Sequence, residues 1–334
     1  QSRSDPQRVA CFLLWVRTAT IRRVLGVAES QVNRVQESRN MEEHANDLGD
    51  LANPAYYTDP LALGRWRDTD LLSQLEMMVR IRAVEDAIGQ FVENAEVACP
   101  CHLAIGQEAV AVGVATQLQV SDRAFGAHRS HPHFLAMGGS VTDLLSEVLG
   151  KVSGCSRGMG ASMHLFGQDF GFYGSVPIVA GTVPIAVGAG LAAKREQGDD
   201  IAIAYFGDGA CEEGAVHESL NFAAVYELPV LFVCENNLYS SHMDIAQRQP
   251  SDLVSRFAEA HRIRTELVDG NDVVAVADAA GRLVDGCRNG TGPGFLEAVT
   301  YRWRGHVGPE ENVDVGVRRR IEDIVAWKKR DPIR

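Results

Sequence analysis

The chain has 334 residues, 46% of them hydrophobic, and a formal net charge of −12. It contains no apolar run long enough to cross a bilayer, and its acidic balance argues against nucleic acid or an anionic membrane surface as a main partner. Length permits about two domains or one large α/β domain.

The first forty residues differ from the rest, with seven arginines against three acids. The apolar run Val9–Val16 is too short to span a membrane and is followed by Arg17, Arg22 and Arg23. It reads as an Arg-rich transit segment or a poor signal peptide. Met41 opens an ordinary-looking start, so residues 1–40 are expected to be a non-native or disordered extension and 1–60 to lie outside the main domain. Leu71–Phe91 places Leu72, Leu75, Met78, Val79, Val84 and Ile88 at a helical period. His102–Gln117, rich in Ala and Val, is predicted as a second helix, and Val141–Leu149, capped by Ser140, as a third. The glycine-dense 150–160 stretch is predicted as loop, and Thr182–Lys194 as a closely packed helix. Ile201–Phe206 and Leu231–Cys234 are apolar throughout, as parallel strands buried on both faces should be. Arg262–Val268, helical Val273–Val284 and strand Gly294–Thr300 complete an alternating pattern with no internal repeat and no linker inside 60–320. The seven cysteines are odd in number and scattered through apolar segments, which reads as buried thiols and not a disulfide framework. Cys99-Pro100-Cys101 has no second pair to complete a zinc site.

The most informative stretch is a strand ending in Gly207-Asp208-Gly209, a helix opening at Glu212 and Glu213, and a second strand ending in Asn236-Asn237. A right-handed strand–helix–strand unit sets the carboxyl ends of its strands side by side, where open α/β sheets bind ligands. A carboxylate and an amide oxygen at that rim suit Mg²⁺, which prefers a few protein oxygens plus substrate phosphates. The glycines admit a bulky anion to the backbone.

This pairing resembles the thiamine diphosphate fingerprint. From about Leu71 to the C-terminus the chain resembles the alpha subunit of the decarboxylating component of 2-oxo acid dehydrogenase complexes (the pyruvate, branched-chain and acetoin dehydrogenase family). The resemblance is carried by HLAIGQEA (102–109), AHRSH (127–131), GCSRGMGASMHLF (154–166), PIVAGTVPIAVGAGLA (177–192) and YRWRGHVGPEE (301–311). It implies an α/β thiamine diphosphate-binding fold, a parallel sheet with helices on both faces, spanning 61–334. It implies Mg²⁺ ligated by Asp208, Asn237 and the Tyr239 carbonyl. Gly209 and Ala210 would offer N–H groups to the diphosphate, and Arg129 and Arg302 would grip it with guanidinium forks. Val179 would wedge beneath the cofactor, and His128, standing where relatives often carry tyrosine, would line its site. His102, His131 and His306 would be the acid–base groups on the substrate side, since imidazole titrates near neutrality. His306 would also touch the cofactor, and His164 would help order its loop. His133, His217, His242 and His261 have no matching role and are expected to be surface or structural.

The resemblance also implies partners. A beta subunit would carry the pyrimidine-binding domain in a heterotetramer of two alpha and two beta chains. A lipoyl-bearing acyltransferase would receive the acyl group from a small, pyruvate-like 2-oxo acid. Acyloin cleavage or carboligation on the same cofactor is the second reading, and a non-catalytic assembly subunit the third. Pro177, Glu213 and Arg304 depart from familiar patterns, with Glu213 adding negative charge near the expected site. The 306–317 loop has no Ser, Thr or Tyr, so no phosphorylation switch is expected there. That favours a bacterial cytoplasmic setting, with the mitochondrial matrix as the alternative if residues 1–40 are a transit peptide. Relatives continue as helix beyond a signal like Trp327–Pro332, so the C-terminus reads as truncated.

Overall fold

A computed structural model of the chain describes residues 46–56, 61–311 and 319–334. The N-terminal expectation for residues 1–40 and half of the 306–317 loop expected to lack phosphorylation lie outside the described residues.

The long helix α1 (Asp68–Glu93) buries Met78, Ile81, Val84 and Ile88 on one stripe. The next helix, α2 (Glu108–Ala115), begins six residues later than the Ala/Val content suggests. Gly106 is the reason. Its φ is +99°, and a Cβ there would lie 2.6 Å from the Tyr301 carbonyl oxygen and from the Trp303 ring. Only glycine takes that left-handed conformation without cost, so His102–Gln107 runs as a buried, non-helical stretch. Strand β1 (Arg123–Gly126) follows, then α3 (His131–Ala136) and α4 (Val141–Val148). The Ser140 hydroxyl accepts from the Asp143 N–H at 3.3 Å, the expected cap.

The glycine-dense segment is indeed turns. The buried Glu147 carboxylate organises it by accepting from the N–H groups of Ser156, Gly158, Gly160 and Ala161 at 2.7–3.1 Å. Strand β2 (Phe172–Ser175) leads to helix α5 (Val183–Glu196), with a proline in its first turn. Then come β3 (Ala202–Gly207), a 3₁₀ turn at Asp208–Glu212, α6 (Gly214–Val225) and β4 (Val230–Asn236). A small antiparallel hairpin, β5 (Tyr239–Ser240) with β6 (Met243–Asp244), precedes α7 (Arg256–Ala260). Strand β7 (Arg264–Asp269), α8 (Val273–Arg288), β8 (Gly294–Val299) and α9 (Ile321–Trp327) complete the domain.

The six-stranded sheet has the order β2-β1-β3-β4-β8-β7, with every pair parallel. Its central strands alternate between two cores. Ile203, Tyr205, Leu231 and Val233 join a cluster with α1, α2 and α8. Ala202, Ala204, Phe206, Val230, Phe232 and Cys234 join a second cluster with α5, α6 and α7. Helices thus cover both faces, which is why these strands read as continuous apolar runs. Strands β1 and β2, four residues each, carry no such run and escaped sequence reading.

Residues 46–56 pack on this unit as well: Leu48 is buried in a cluster with Val299, Tyr301, Ile324 and Trp327. The Trp327 ring stacks on Tyr301 with 5.2 Å between centroids. The described cysteines are all unpaired thiols, and Cys101, Cys211, Cys234 and Cys287 are buried. No helix of the described residues is long and apolar enough to cross a membrane.

Candidate active site

A cavity of about 180 Å³ lies at the carboxyl ends of the sheet strands. Ala127, His128 and Arg129 reach it from the end of β1, and Asp208, Gly209 and Ala210 from the end of β3. Asn237, Tyr239, Ser240 and Ser241 follow β4, and His306 lies beyond β8. In the parallel register of β3 and β4, Gly207 stands opposite Glu235, so the residues that follow each strand emerge at one rim. The non-helical stretch before α2 adds His102 and Gln107, and the segment before α5 adds Pro177, Val179 and Ala180.

Asp208 is 1% exposed, and its carboxylate pairs with the Arg248 guanidinium. Burial pushes its pKa up, and the charge of Arg248 opposes that shift. The Asn237 amide donates to Gln107 Oε1 at 3.3 Å, while its Oδ1 accepts from the Tyr239 N–H at 3.3 Å. A Cβ on Gly209 would lie 2.4 Å from the Ser240 hydroxyl, so the hairpin after β4 closes over a bare backbone.

Of the two expected arginines, Arg129 lines the cavity and Arg302 lies outside its lining. The buried Arg129 donates to the main-chain oxygens of Leu103 and His306. Arg302 is 1% exposed; it donates to the Ser241 carbonyl, and its Nη1 has no partner. Burial, with Arg129 and Arg319 close by, drives its pKa well below the ordinary arginine value.

Three imidazoles form one wall. The ring centroids of His102, His128 and His306 lie 4.6, 4.9 and 5.3 Å apart in their three pairs. Burial, with Arg129 next in effect, pushes His102 and His306 down to about 3 and His128 down to about 2. All three rings are therefore neutral at pH 7, able to donate at one nitrogen and accept at the other.

Not every expected residue reaches the cavity. His131 lies outside its lining and is fully buried, with Nδ1 3.0 Å from Glu85 Oε2 and Nε2 2.9 Å from the Ser162 hydroxyl. Both nitrogens are committed, so it does not face the substrate side as expected. The Glu85 carboxylate on α1 holds the ring inward, at the first residue of α3. Glu213 is exposed at the start of α6 and also lies outside the lining. His164 Nδ1 sits 3.3 Å from the Gly160 carbonyl, within its own loop.

Conversely, His133, read as surface or structural, lines the cavity. It stacks on Tyr205 with centroids 3.9 Å apart, and its Nε2 lies 3.4 Å from Glu235 Oε1. Sequence reasoning also passed over Gln107, Glu235 and Arg248. A clue existed for the first two, inside the HLAIGQEA block and beside the Asn pair. None existed for Arg248, which reaches Asp208 only because the β5–β6 hairpin folds back.

The cavity is polar, lined by Arg129, the Asp208 and Glu235 carboxylates and four imidazoles. Among the lining groups, His102 Nδ1 and Gln107 Nε2 are buried without hydrogen-bond partners, and Arg302 Nη1, outside the lining, is likewise unpartnered. Leaving such groups unsatisfied costs about 1–3 kcal/mol each, a debt that a ligand's polar atoms can repay. Arg129 and the Gly209 backbone in the lining could hold a diphosphate. A hard divalent cation fits the oxygens of Asp208 and Asn237, against competition from Arg248.

Comparison with known proteins agrees with this geometry. Residues 76–334 match the family described as the dehydrogenase E1 component. The chain is 39% identical over 240 residues to a pyruvate dehydrogenase E1 component subunit alpha of Rhizobium meliloti, covering 72% of this chain and 69% of that protein. It is 38% identical over 231 residues to the alpha subunit of acetoin:2,6-dichlorophenolindophenol oxidoreductase of Bacillus subtilis, covering 69% of each. A pyruvate dehydrogenase E1 component subunit alpha of Zymomonas mobilis is 39% identical over 266 residues, covering 79% of this chain and 75% of that protein. A match over most of the chain places it among the dehydrogenase E1 components: it belongs to that family of thiamine diphosphate-using oxidoreductases, as an alpha subunit.

Proposed function

We propose that the chain, with its beta subunit, decarboxylates a pyruvate-like 2-oxo acid and passes the acyl group to a lipoyl-bearing acyltransferase. It would act in a heterotetramer of two alpha and two beta chains, in a bacterial cytoplasm. Residues 61–334 would form the pyrophosphate-type binding domain. The observation that carries this reading is the buried Asp208 carboxylate, lining the same cavity as Asn237 and the buried Arg129. Ile178, Val179 and Ile185, exposed at and just before the first turn of α5, give a partner subunit apolar surface to cover.

Thiamine diphosphate, when bound, supplies an electron sink for the pair released as CO₂ leaves. The chain's own residues do the rest. Asp208, Asn237 and the Tyr239 carbonyl would hold Mg²⁺, a hard cation suited to oxygen ligands. The N–H groups of Gly209 and Ala210 and the forks of Arg129 and Arg302 would fix the diphosphate. Val179 would press on the cofactor's rings from below, with His128 beside it. His102 and His306, neutral at pH 7, would accept or donate a proton at their free ring nitrogens, His102 through its unpartnered Nδ1. His131 is assigned a positioning role, holding Glu85 and Ser162.

The test is calorimetric titration of the complex reconstituted with its beta subunit, using thiamine diphosphate in Mg²⁺. Asp208→Ala should abolish binding while leaving the circular dichroism spectrum unchanged; retained binding would sink the site assignment. Acyloin cleavage is the second reading, favoured by nearly equal identity to the Bacillus subtilis acetoin oxidoreductase subunit. Product from acetoin in a complex reconstituted without acyltransferase would select it.

A further inference from the structure

The Asp208 carboxylate already carries a cation. Arg248, immediately after the 3₁₀ turn Ile245–Gln247, sends its side chain back under the β5–β6 hairpin, where it is 6% exposed. Its Nε donates to the Met243 carbonyl at 3.1 Å, its Nη1 to Glu212 and its Nη2 to Asp208. The guanidinium is therefore held by three separate acceptors, and only one of them belongs to the cavity. Asp208 lines the cavity, whereas Glu212 lies outside its lining on the 3₁₀ turn and is more open to solvent.

This geometry solves a problem and creates one. A carboxylate buried as deeply as Asp208 is strongly disfavoured without a counter-charge, because burial removes its hydration. Arg248 supplies that charge. A divalent cation approaching the same oxygens meets a guanidinium in its place, and two like charges on one carboxylate repel strongly in a site shielded from water. Arg248 can yield without leaving its seat: it gives up the Asp208 bond and keeps those to Glu212 and the Met243 carbonyl.

Resting on the metal-site reading above, we propose that Arg248 is a built-in counter-cation for Asp208, which a divalent metal displaces onto Glu212. Arg248 is a positioning residue in this scheme. It keeps the site charge-balanced before loading and weakens capture of metal that arrives without its diphosphate. The metal–diphosphate pair brings both a replacement cation for Asp208 and negative charge for the arginines around the cavity, so the exchange favours loading the two together.

The test uses Mn²⁺, a paramagnetic stand-in for Mg²⁺, titrated into the full chain without cofactor and followed by electron paramagnetic resonance. Arg248→Gln is expected to tighten Mn²⁺ binding at least tenfold, and Arg248→Lys by less. Glu212→Gln, which removes the seat to which the guanidinium withdraws, is expected to weaken it severalfold. Unchanged or weaker binding in a folded Arg248→Gln chain overturns the proposal. If that variant does not fold, Glu212→Gln decides: weaker binding supports the scheme, and unchanged or tighter binding overturns it. Asp208→Asn separates the two readings. If it leaves Mn²⁺ binding intact in the Arg248→Gln background, the metal-site reading itself has failed; if it abolishes binding there, any failure belongs to Arg248 alone.

Discussion

Glu85 Oε2 stands 3.0 Å from Nδ1 of His131, and neither side chain touches solvent. The second Glu85 oxygen accepts from the Ala104 N–H at 3.0 Å. One carboxylate on α1 therefore fixes both the start of α3 and the non-helical stretch that carries His102 and Gln107 to the cavity. Glu85→Ala leaves a buried imidazole and a buried N–H unpaired, which should cost about 3 kcal/mol. Glu85→Gln keeps an acceptor and should cost less. Urea denaturation of the two variants measures the difference, and equal losses would show that packing, not hydrogen bonding, holds the stretch.

Gly106 makes a second, backbone-level prediction. Its positive φ and the 2.6 Å approach of a Cβ to the Tyr301 carbonyl leave no room for a side chain. The Gly106→Ala variant should lose about 1–3 kcal/mol through the strained conformation alone, with further loss from the clash. Because Gln107 hydrogen-bonds Asn237, the same change should also weaken cofactor binding in a chain that still folds. A melting temperature equal to that of the unsubstituted chain would refute this account of why α2 starts late.

The three neutral histidines give stability a definite pH dependence. Folding holds His102, His128 and His306 far below their ordinary value of 6.5. Below pH 6.5 the unfolded chain takes up protons that the folded chain refuses, so these groups favour unfolding progressively as the pH falls. Their contribution is complete above pH 6.5 and is lost as the pH drops towards about 3. Glu108 and Asp208, whose pKa values burial raises, work in the opposite direction and offset part of the loss. Urea midpoints measured from pH 7.5 to 4.5 should decline steadily on the acid side, with a shallower decline in His128→Phe. An unchanged slope in that variant would place His128 in a solvated setting.

Much of this molecule is written locally in the chain. The central strands β3 and β4 are legible because burial on both faces demands uninterrupted apolar residues, and the cap at Ser140 and the turns at 150–160 follow from side-chain and glycine chemistry within a few positions. Gly207-Asp208-Gly209 and Asn236-Asn237 are legible as one rim because right-handed crossovers leave parallel strands pointing the same way. The tertiary structure alone decided the rest. The four-residue strands β1 and β2 exist by pairing with neighbours distant in sequence, and α2 starts at Glu108 because Tyr301 and Trp303 crowd Gly106 from the far end of the chain. His131 turns inward to Glu85 while His133 faces the cavity, and Arg248 meets Asp208 forty positions away. Periodicity and propensity act over a few residues, whereas a buried charge is settled by whichever partner the completed fold brings within reach.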